Sequence, residues 1–359
     1  MKKFIPFAEI SNHPNVLGVD CYHPKAFCLS HWRGANIHSD LEDDTSAAIA
    51  INAVKKNIPE LTYPVVTNNH FDIDGFIGVW CVVHPETVHE FEAVFRQMAL
   101  IGDFREYSPN LPESDLALKL VCWINKKEKE LFYAPFGAQF TEQKEAQLCV
   151  EKYHWFLANF GNVLHHPFDY LVDWQEEYNR VKFDYLLIQQ EGKRTTNDSI
   201  RLEIVKAPDP AHYYALYAHS EHADMVLSIY SGQRYELEYK YTTWIDTASR
   251  MSFPRIQPKE LVDILNKEEK SGFTWQAQKF TDTAPLISLN SNSFSKEQRY
   301  DHPFTRNIEQ SSIPEARFIE LVQDFFNHKL KDAPRQSNYT WEEIRVFNNE
   351  LVGTNSLKS

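Results

Sequence analysis

"NNHFDIDGFIGVW", residues 68–80, places His70, Asp72 and Asp74 at alternate positions between an apolar run and a glycine. The preceding "PVVT" is β-branched and reads as a strand. In open α/β sheets ligands collect beyond the carboxyl ends of strands. Alternate residues on an extended chain point the same way, so these three side chains converge. Two carboxylates and an imidazole facing one point repel unless a cation lies between them. An oxygen-rich site with imidazole suits Mn²⁺ or Mg²⁺ better than thiophilic metals. The plainer reading is an Asx-type turn whose aspartates cap a following helix.

Outward from this segment, strand and helix alternate over residues 15–105. "NVLGVD" and "AFCLSHW" read as short buried strands joined by the turn "CYHPK". "DDTSAAIAINAVKKN" has Asp or Thr to cap a helix, an alanine-rich body and lysines in its last turn. "GFIGVWCVV" suits either helix or strand, and "ETVHEFEAVFRQMALI" is an amphipathic helix. The alternation is that of a parallel α/β sheet. Residues 110–190 read as helical, with Gly161 closing the second long helix and "NKKEKE" (125–130) as a solvated turn. "EGKRTTNDSI" (191–200) reads as a linker or loop. Beyond it "HYYALYAHS", "MVLSIYSGQ" and "RYELEYKYTTW" read as strands. In the last of these Tyr235, Leu237, Tyr239 and Tyr241 alternate with a polar face of Glu236, Glu238 and Lys240. "PKELVDILNKEEK" is then a helix and "FTWQAQKF" a strand. The expected fold is α/β: residues 1–190 as a mostly parallel sheet flanked by helices, and residues 200–345 as a smaller α+β accessory domain.

Composition narrows the function. With 37 Lys+Arg against 50 Asp+Glu the formal charge is −13, which repels long nucleic acids but leaves room for a small anion beside local cations. Five scattered cysteines without a C-x-x-C pair argue against a disulfide framework or zinc knuckle. Pro6 and Glu9 interrupt the first apolar stretch too early for a signal peptide. The longest apolar run, "FIGVWCVV", falls short of the ~20 residues of a membrane span. The expectation is a reduced cytoplasmic protein with no membrane partner; nothing in the sequence sets its oligomeric state. Walker A, G-x-S-x-G, G-x-G-x-x-G and H-E-x-x-H motifs are absent. Arg250 and Arg255, in "SRMSFPR", have the planar fork that clamps a phosphate. Asp43 and Asp44 read as helix caps.

"HFDIDG" after a strand resembles the first motif of the DHH phosphoesterase superfamily. The resemblance implies ligands to a Mn²⁺ pair and hydrolysis of phosphate esters. The Asp-His-His expected downstream is missing, and the one His-His, His165–His166, lacks the aspartate. Upstream, "NVLGVDCYHPKAFCLSHWRGANIHSDLEDDTSAAIAINAV" resembles the second and third motifs, which implies a circularly permuted order. There Asp20 ends one strand, and Ser30-His31-Trp32 stands where Asp-His-His belongs. "QMALIGDF" resembles the fourth motif, with Asp103 as its acid. The C-terminal third resembles the superfamily's DHHA1-type accessory domain in layout, without its G-G-G-H signature. "RYELEYKYTTW" and "SRMSFPRI" also resemble an uncharacterised bacterial protein family with no known activity.

The resemblance implies a divalent-metal-dependent phosphoesterase acting on a small phosphorylated molecule. Asp20, His31, His70, Asp72, Asp74 and Asp103 would hold Mn²⁺ (or Mg²⁺), with Asp72, Asp74 and His31 at the catalytic centre. Arg250 and Arg255 would bind substrate. The alternative is a non-catalytic descendant that binds a ligand or partner. Convergence is the test: Asp20 and His31 must lie beside Asp72 and Asp74.

Overall fold

The computed structural model describes residues 2–35, 37–133, 142–283 and 285–348. It is of mixed α/β type and divides into two compact units of nearly equal length, Met1–Val181 and Lys182–Ser359.

The first unit is built on four strands: β1 (Lys3–Phe4), β2 (Val16–Val19), β3 (Phe27–Leu29) and β4 (Val65–Thr67). They lie in the order β1-β4-β2-β3 and every pairing is parallel. Both faces of such a sheet are covered, and all four residues of β2 and all three of β4 are buried. Parallel neighbours need a crossover. Helix α1 (Ser46–Lys56) carries the chain from edge strand β3 past β2 to β4. The Thr45 side chain accepts from the Ala48 amide at its N-terminus, and Asn57 ends it in the left-handed region. After β4 come α2 (Ile73–Val83) and α3 (Pro85–Phe104). "GFIGVWCVV" is therefore helical: it is buried on every side, and a helix satisfies its backbone internally where no sheet edge is offered. The long helices α4 (Pro112–Phe132), α5 (Glu142–His165) and α6 (Leu171–Glu191) follow. Aromatic rings bind α2 to α5: Phe76 lies against Phe156 and Phe160, at 5.6 and 5.2 Å between centroids.

Two local expectations fail in this helical region. "NKKEKE" continues α4 rather than turning, because its lysines and glutamates form i,i+3 and i,i+4 pairs that support a helix. Gly161 lies inside α5 instead of ending it. A Cβ there would meet the Trp80 ring at 3.3 Å, so the glycine serves packing.

The second unit begins inside α6, and "EGKRTTNDSI", expected as a linker or loop, is a strand over half its length. Its Lys193–Asn197 form edge strand β5, paired antiparallel with β6 (Leu202–Ala207). "HYYALYAHS" contains the short helix α7 (Tyr213–Leu216), where the His212 ring accepts from the Tyr214 amide. Strands β7 (Met225–Tyr230) and β8 (Arg234–Tyr239), helix α8 (Lys259–Glu268), strands β9 (Trp275–Ala277) and β10 (Leu286–Leu289), and helices α9 (Lys296–Tyr300), α10 (Glu315–Leu330) and α11 (Trp341–Phe347) complete it. The mixed sheet has the order β5-β6-β7-β8-β10-β9. Tyr235, Leu237 and Tyr239 face a core shared with Leu261, Phe318 and Phe326 of α8 and α10. The opposite face of β8 is polar but buried. Glu236 takes a two-pronged ion pair from Arg306, at 2.9 and 3.0 Å, and Glu238 and Lys240 are buried as well.

All five cysteines are free and buried. No described helix is long and apolar enough to cross a membrane.

Candidate metal centre

The carboxyl ends of β2, β3 and β4 bring distant residues of the first unit together. Asp20 follows β2 with φ 52°, in the left-handed region that aspartate tolerates better than most residues. His31 stands two residues beyond β3. Asp72 is the N-cap of α2, its side chain accepting from the Gly75 amide, and Asp74 lies in the first turn of the same helix. Asp103 sits in the last turn of α3 rather than in a turn beyond it. Two glycines permit the approach. A Cβ on Gly75 would lie 2.3 Å from Asn68 Nδ2, and one on Gly102 would lie 2.3 Å from the Ile73 Cβ. A side chain at Gly102 would strike Ile73 at its Cβ, and one at Gly75 would displace the Asn68 amide, so glycine lets α3 end against α2 and keeps Asn68 in place beside it.

His31 is buried, and its Nδ1 is 2.7 Å from the Asp44 carbonyl. A carbonyl only accepts, so Nδ1 carries the hydrogen. In the neutral ring Nε2 is then a bare lone pair. That lone pair faces carboxylate oxygens of Asp20 at 3.6 Å, Asp103 at 3.9 Å and Asp74 at 4.0 Å. These separations are too long for hydrogen bonds. They match the roughly 3–4 Å between ligand atoms spread around an ion bound at about 2.0–2.2 Å. Asp20, His31 and Asp74 can jointly hold a metal ion, each offering one atom. Burial, then the Asp20 charge, with smaller contributions from Asp103 and Asp72, pushes Asp74 well above the usual carboxylate range against the opposing pull of His31. A cation at this point would remove the repulsion that raises it.

His70 repeats the arrangement on the outer side. Its Nδ1 is 2.7 Å from Asn69 Oδ1, and its Nε2 is 3.0 Å from Asp72 Oδ2 and 3.1 Å from Asp20 Oδ2. Burial pulls the ring's proton affinity down, but Asp72 and Asp20 outweigh it and hold His70 well above the ordinary histidine range. Burial likewise raises Asp72, and His70 outweighs it, so that carboxyl sits below its usual value. Asp20, His70 and Asp72 form a second set able to hold an ion. Asp20 belongs to both sets, one oxygen towards each imidazole.

Side chains that bind no ion orient those that would. Asp20 Oδ1 accepts from the Trp32 indole at 3.0 Å and the Ser46 hydroxyl at 2.7 Å. Both Asp74 oxygens accept backbone amides opening α1, Ser46 at 2.8 Å and Ala47 at 2.9 Å. Asn68 accepts the Asn69 and His70 amides through Oδ1 and donates to the Tyr153 hydroxyl. Ser46 and Asn68 escape sequence reasoning because nothing in spacing marks a serine at a helix start or an asparagine after a strand as partners of remote carboxylates.

The other candidates have partners of their own. Asp43 pairs with Arg96, and Asp44 contributes its carbonyl to His31; Thr45, not either aspartate, caps α1. His165 ends α5 with its ring edge-on to Phe91. Arg250 and Arg255 lie in the second unit, between β8 and α8. Arg250 donates to the Tyr241 hydroxyl at 3.1 Å. Arg255 is buried over the Tyr239 ring at 4.6 Å, and burial lowers its pKa to about 10. Its guanidinium serves that unit's interior.

Residues 1–337 match the family of unknown function DUF6687. The chain belongs to this family. No curated protein matches it.

Proposed function

We propose that this DUF6687 protein is a divalent-metal-dependent phosphoesterase that hydrolyses a small phosphorylated molecule in the cytoplasm, on a circularly permuted DHH-like fold. The observation that carries the reading is His31: a buried imidazole with Nδ1–H committed to a carbonyl and Nε2 aimed at three carboxylates beyond hydrogen-bond range. Carboxylates gathered about one imidazole repel one another, and a cation would relieve that repulsion. The oxygen-rich donor set fits Mn²⁺ or Mg²⁺. Asp20, His31, Asp74 and Asp103 would hold an inner ion, and Asp20, His70 and Asp72 an outer one. When bound, the ions supply Lewis-acid polarisation of a phosphate and a water of lowered pKa. The chain's own part is positional. The Trp32 indole and Ser46 hydroxyl fix the Asp20 carboxylate, the α1 amides fix Asp74, and the Asp44 carbonyl fixes the His31 tautomer. The half-exposed His70 and Asp72 stand on the side from which a substrate would enter.

One observation favours the alternative, a non-catalytic descendant that binds a ligand or partner. Asp74 already bonds two amides at the start of α1, so its carboxylate has structural work independent of any ion.

The deciding experiment is Mn²⁺ titration of protein purified without chelator, read by calorimetry, beside turnover of a panel of small phosphomonoesters and dinucleotides. Wild type should bind Mn²⁺ and turn over a member of the panel, and Asp72→Asn and Asp74→Asn should lose both. Binding without turnover supports the non-catalytic reading. No response to millimolar Mn²⁺ overturns the metal centre.

A further inference from the structure

Strands β2 and β3 run side by side with Gly18 opposite Cys28. Past Asp20 the chain turns and sets Cys21 back over the sheet, its Sγ 4.0 Å from the Thr67 carbonyl of β4. Gly18 is not at positive φ, so its missing side chain is a matter of space. A Cβ there would stand 3.0 Å from Cys21 Sγ and 3.0 Å from Cys28 Sγ. The two sulfurs therefore crowd one point above the sheet, with Cys28 Sγ also 3.6 Å from the Ala26 carbonyl and 3.8 Å from the His23 carbonyl. The remaining cysteines stand apart on separate helices, Cys81 in α2, Cys122 in α4 and Cys149 in α5.

We propose that Cys21 and Cys28 form a site of reversible oxidative modification, a disulfide made by hydrogen peroxide next to the Asp20 carboxylate. Cys28 is the more exposed of the pair, at 8% against 0%. Its thiolate attacks one peroxide oxygen, the O–O bond breaks, hydroxide leaves and Cys28 becomes a sulfenic acid. The Cys21 sulfur then attacks the Cys28 sulfur. The S–O bond breaks, and the departing oxygen leaves as water with the Cys21 proton. Two thiols are oxidised and one peroxide is reduced to two waters. A disulfide needs its sulfurs about 2.0 Å apart, and the empty side of Gly18 leaves them free to close. A dithiol reverses the link by exchange. Because Cys21 adjoins Asp20, closure shifts that carboxylate and weakens Mn²⁺ binding; this consequence alone rests on the proposed metal centre.

The test is hydrogen peroxide treatment of the full chain, then alkylation and peptide mass spectrometry. The expected result is loss of two thiols and a Cys21–Cys28 linked peptide lighter by two hydrogen atoms, restored by dithiothreitol. Cys21→Ala should lose the link and stop at oxygen adducts on Cys28. Sulfinic acid at Cys28 in wild type without a link, a link to another cysteine, or no oxidation short of unfolding would each overturn the proposal. The same would follow if Cys21→Ala still lost two thiols as an internal disulfide. The link is read by mass, independently of metal. If it forms in a protein that binds no Mn²⁺ even when reduced, the disulfide site stands and the metal centre fails.

Discussion

Asp74 and His70 hold protons above their ordinary ranges for related reasons. Asp74 is buried among carboxylates, and His70 lies between two of them. A group whose folded pKa is raised contributes stability that is complete below its unfolded pKa and lost as pH rises through the folded one. With unfolded values of about 3.9 for Asp and about 6.5 for His, the Asp74 contribution fades from about pH 4 upward and the His70 contribution from about pH 6.5 upward. Metal-free protein should therefore lose thermal stability as pH rises above about 6.5. Asp74→Asn should flatten that slope, as melting curves across the range would show. Added Mn²⁺ should stabilise increasingly as pH rises, because each ion displaces protons that have become easier to remove. A stability that rises with pH in the absence of metal would contradict this account of the cluster. Trp32 gives the companion prediction. Its indole is one of two donors on Asp20 Oδ1, and loss of a partner that orients a ligand typically weakens metal binding by about 10–100-fold. Trp32→Phe should produce a drop of that order in Mn²⁺ titration while leaving the helical circular dichroism intact.

At the level of elements, the centre depends on how closely helices approach strand ends. Gly102 sits in α3 where any side chain would strike Ile73, the first residue of α2. Gly102→Ala should cost about 1–3 kcal/mol, the usual range for overpacking, despite the better helix propensity of alanine. It should also weaken Mn²⁺ binding, because Asp103 is the next residue. Gly161→Ala is the control. Its Cβ would crowd the Trp80 ring edge at 3.3 Å, tighter than ordinary contact, and a gain of up to about 1 kcal/mol in helix propensity offsets that cost. Denaturant unfolding of the two variants should separate them clearly, and equal costs would mean that contact at Ile73 is not what Gly102 protects.

For the whole molecule the relevant quantity is the charge of −13. Repulsion at that scale disfavours long polyanions and leaves a small anion to be captured locally. Under the proposed function, turnover of dinucleotides or small phosphate esters at moderate salt should exceed digestion of long single-stranded DNA. Processive degradation of long DNA would show that local cations dominate the net charge.

The local pattern was legible in the chain itself. β-branched runs, an alanine-rich body with Thr45 ahead of it, and alternate acids after "PVVT" are short-range signals. They identified β2, β3, β4, α1 and α3, and the segment holding His70, Asp72 and Asp74. The approach of Asp20 and His31 was an inference from motif order, and tertiary structure brings them into the cluster. Two local readings failed where long-range contacts decide. Gly161 looks like a helix end until Trp80 is seen against it. "EGKRTTNDSI" looks like a linker or loop until β6 offers its backbone a partner. The polar face of β8 was legible as polar, but only the fold brings Arg306, seventy residues on, to Glu236 in the interior. Periodicity records which side of a strand is polar. It cannot record whether that side meets water or a buried counter-charge, because the partner is chosen by the fold and not by neighbours in sequence.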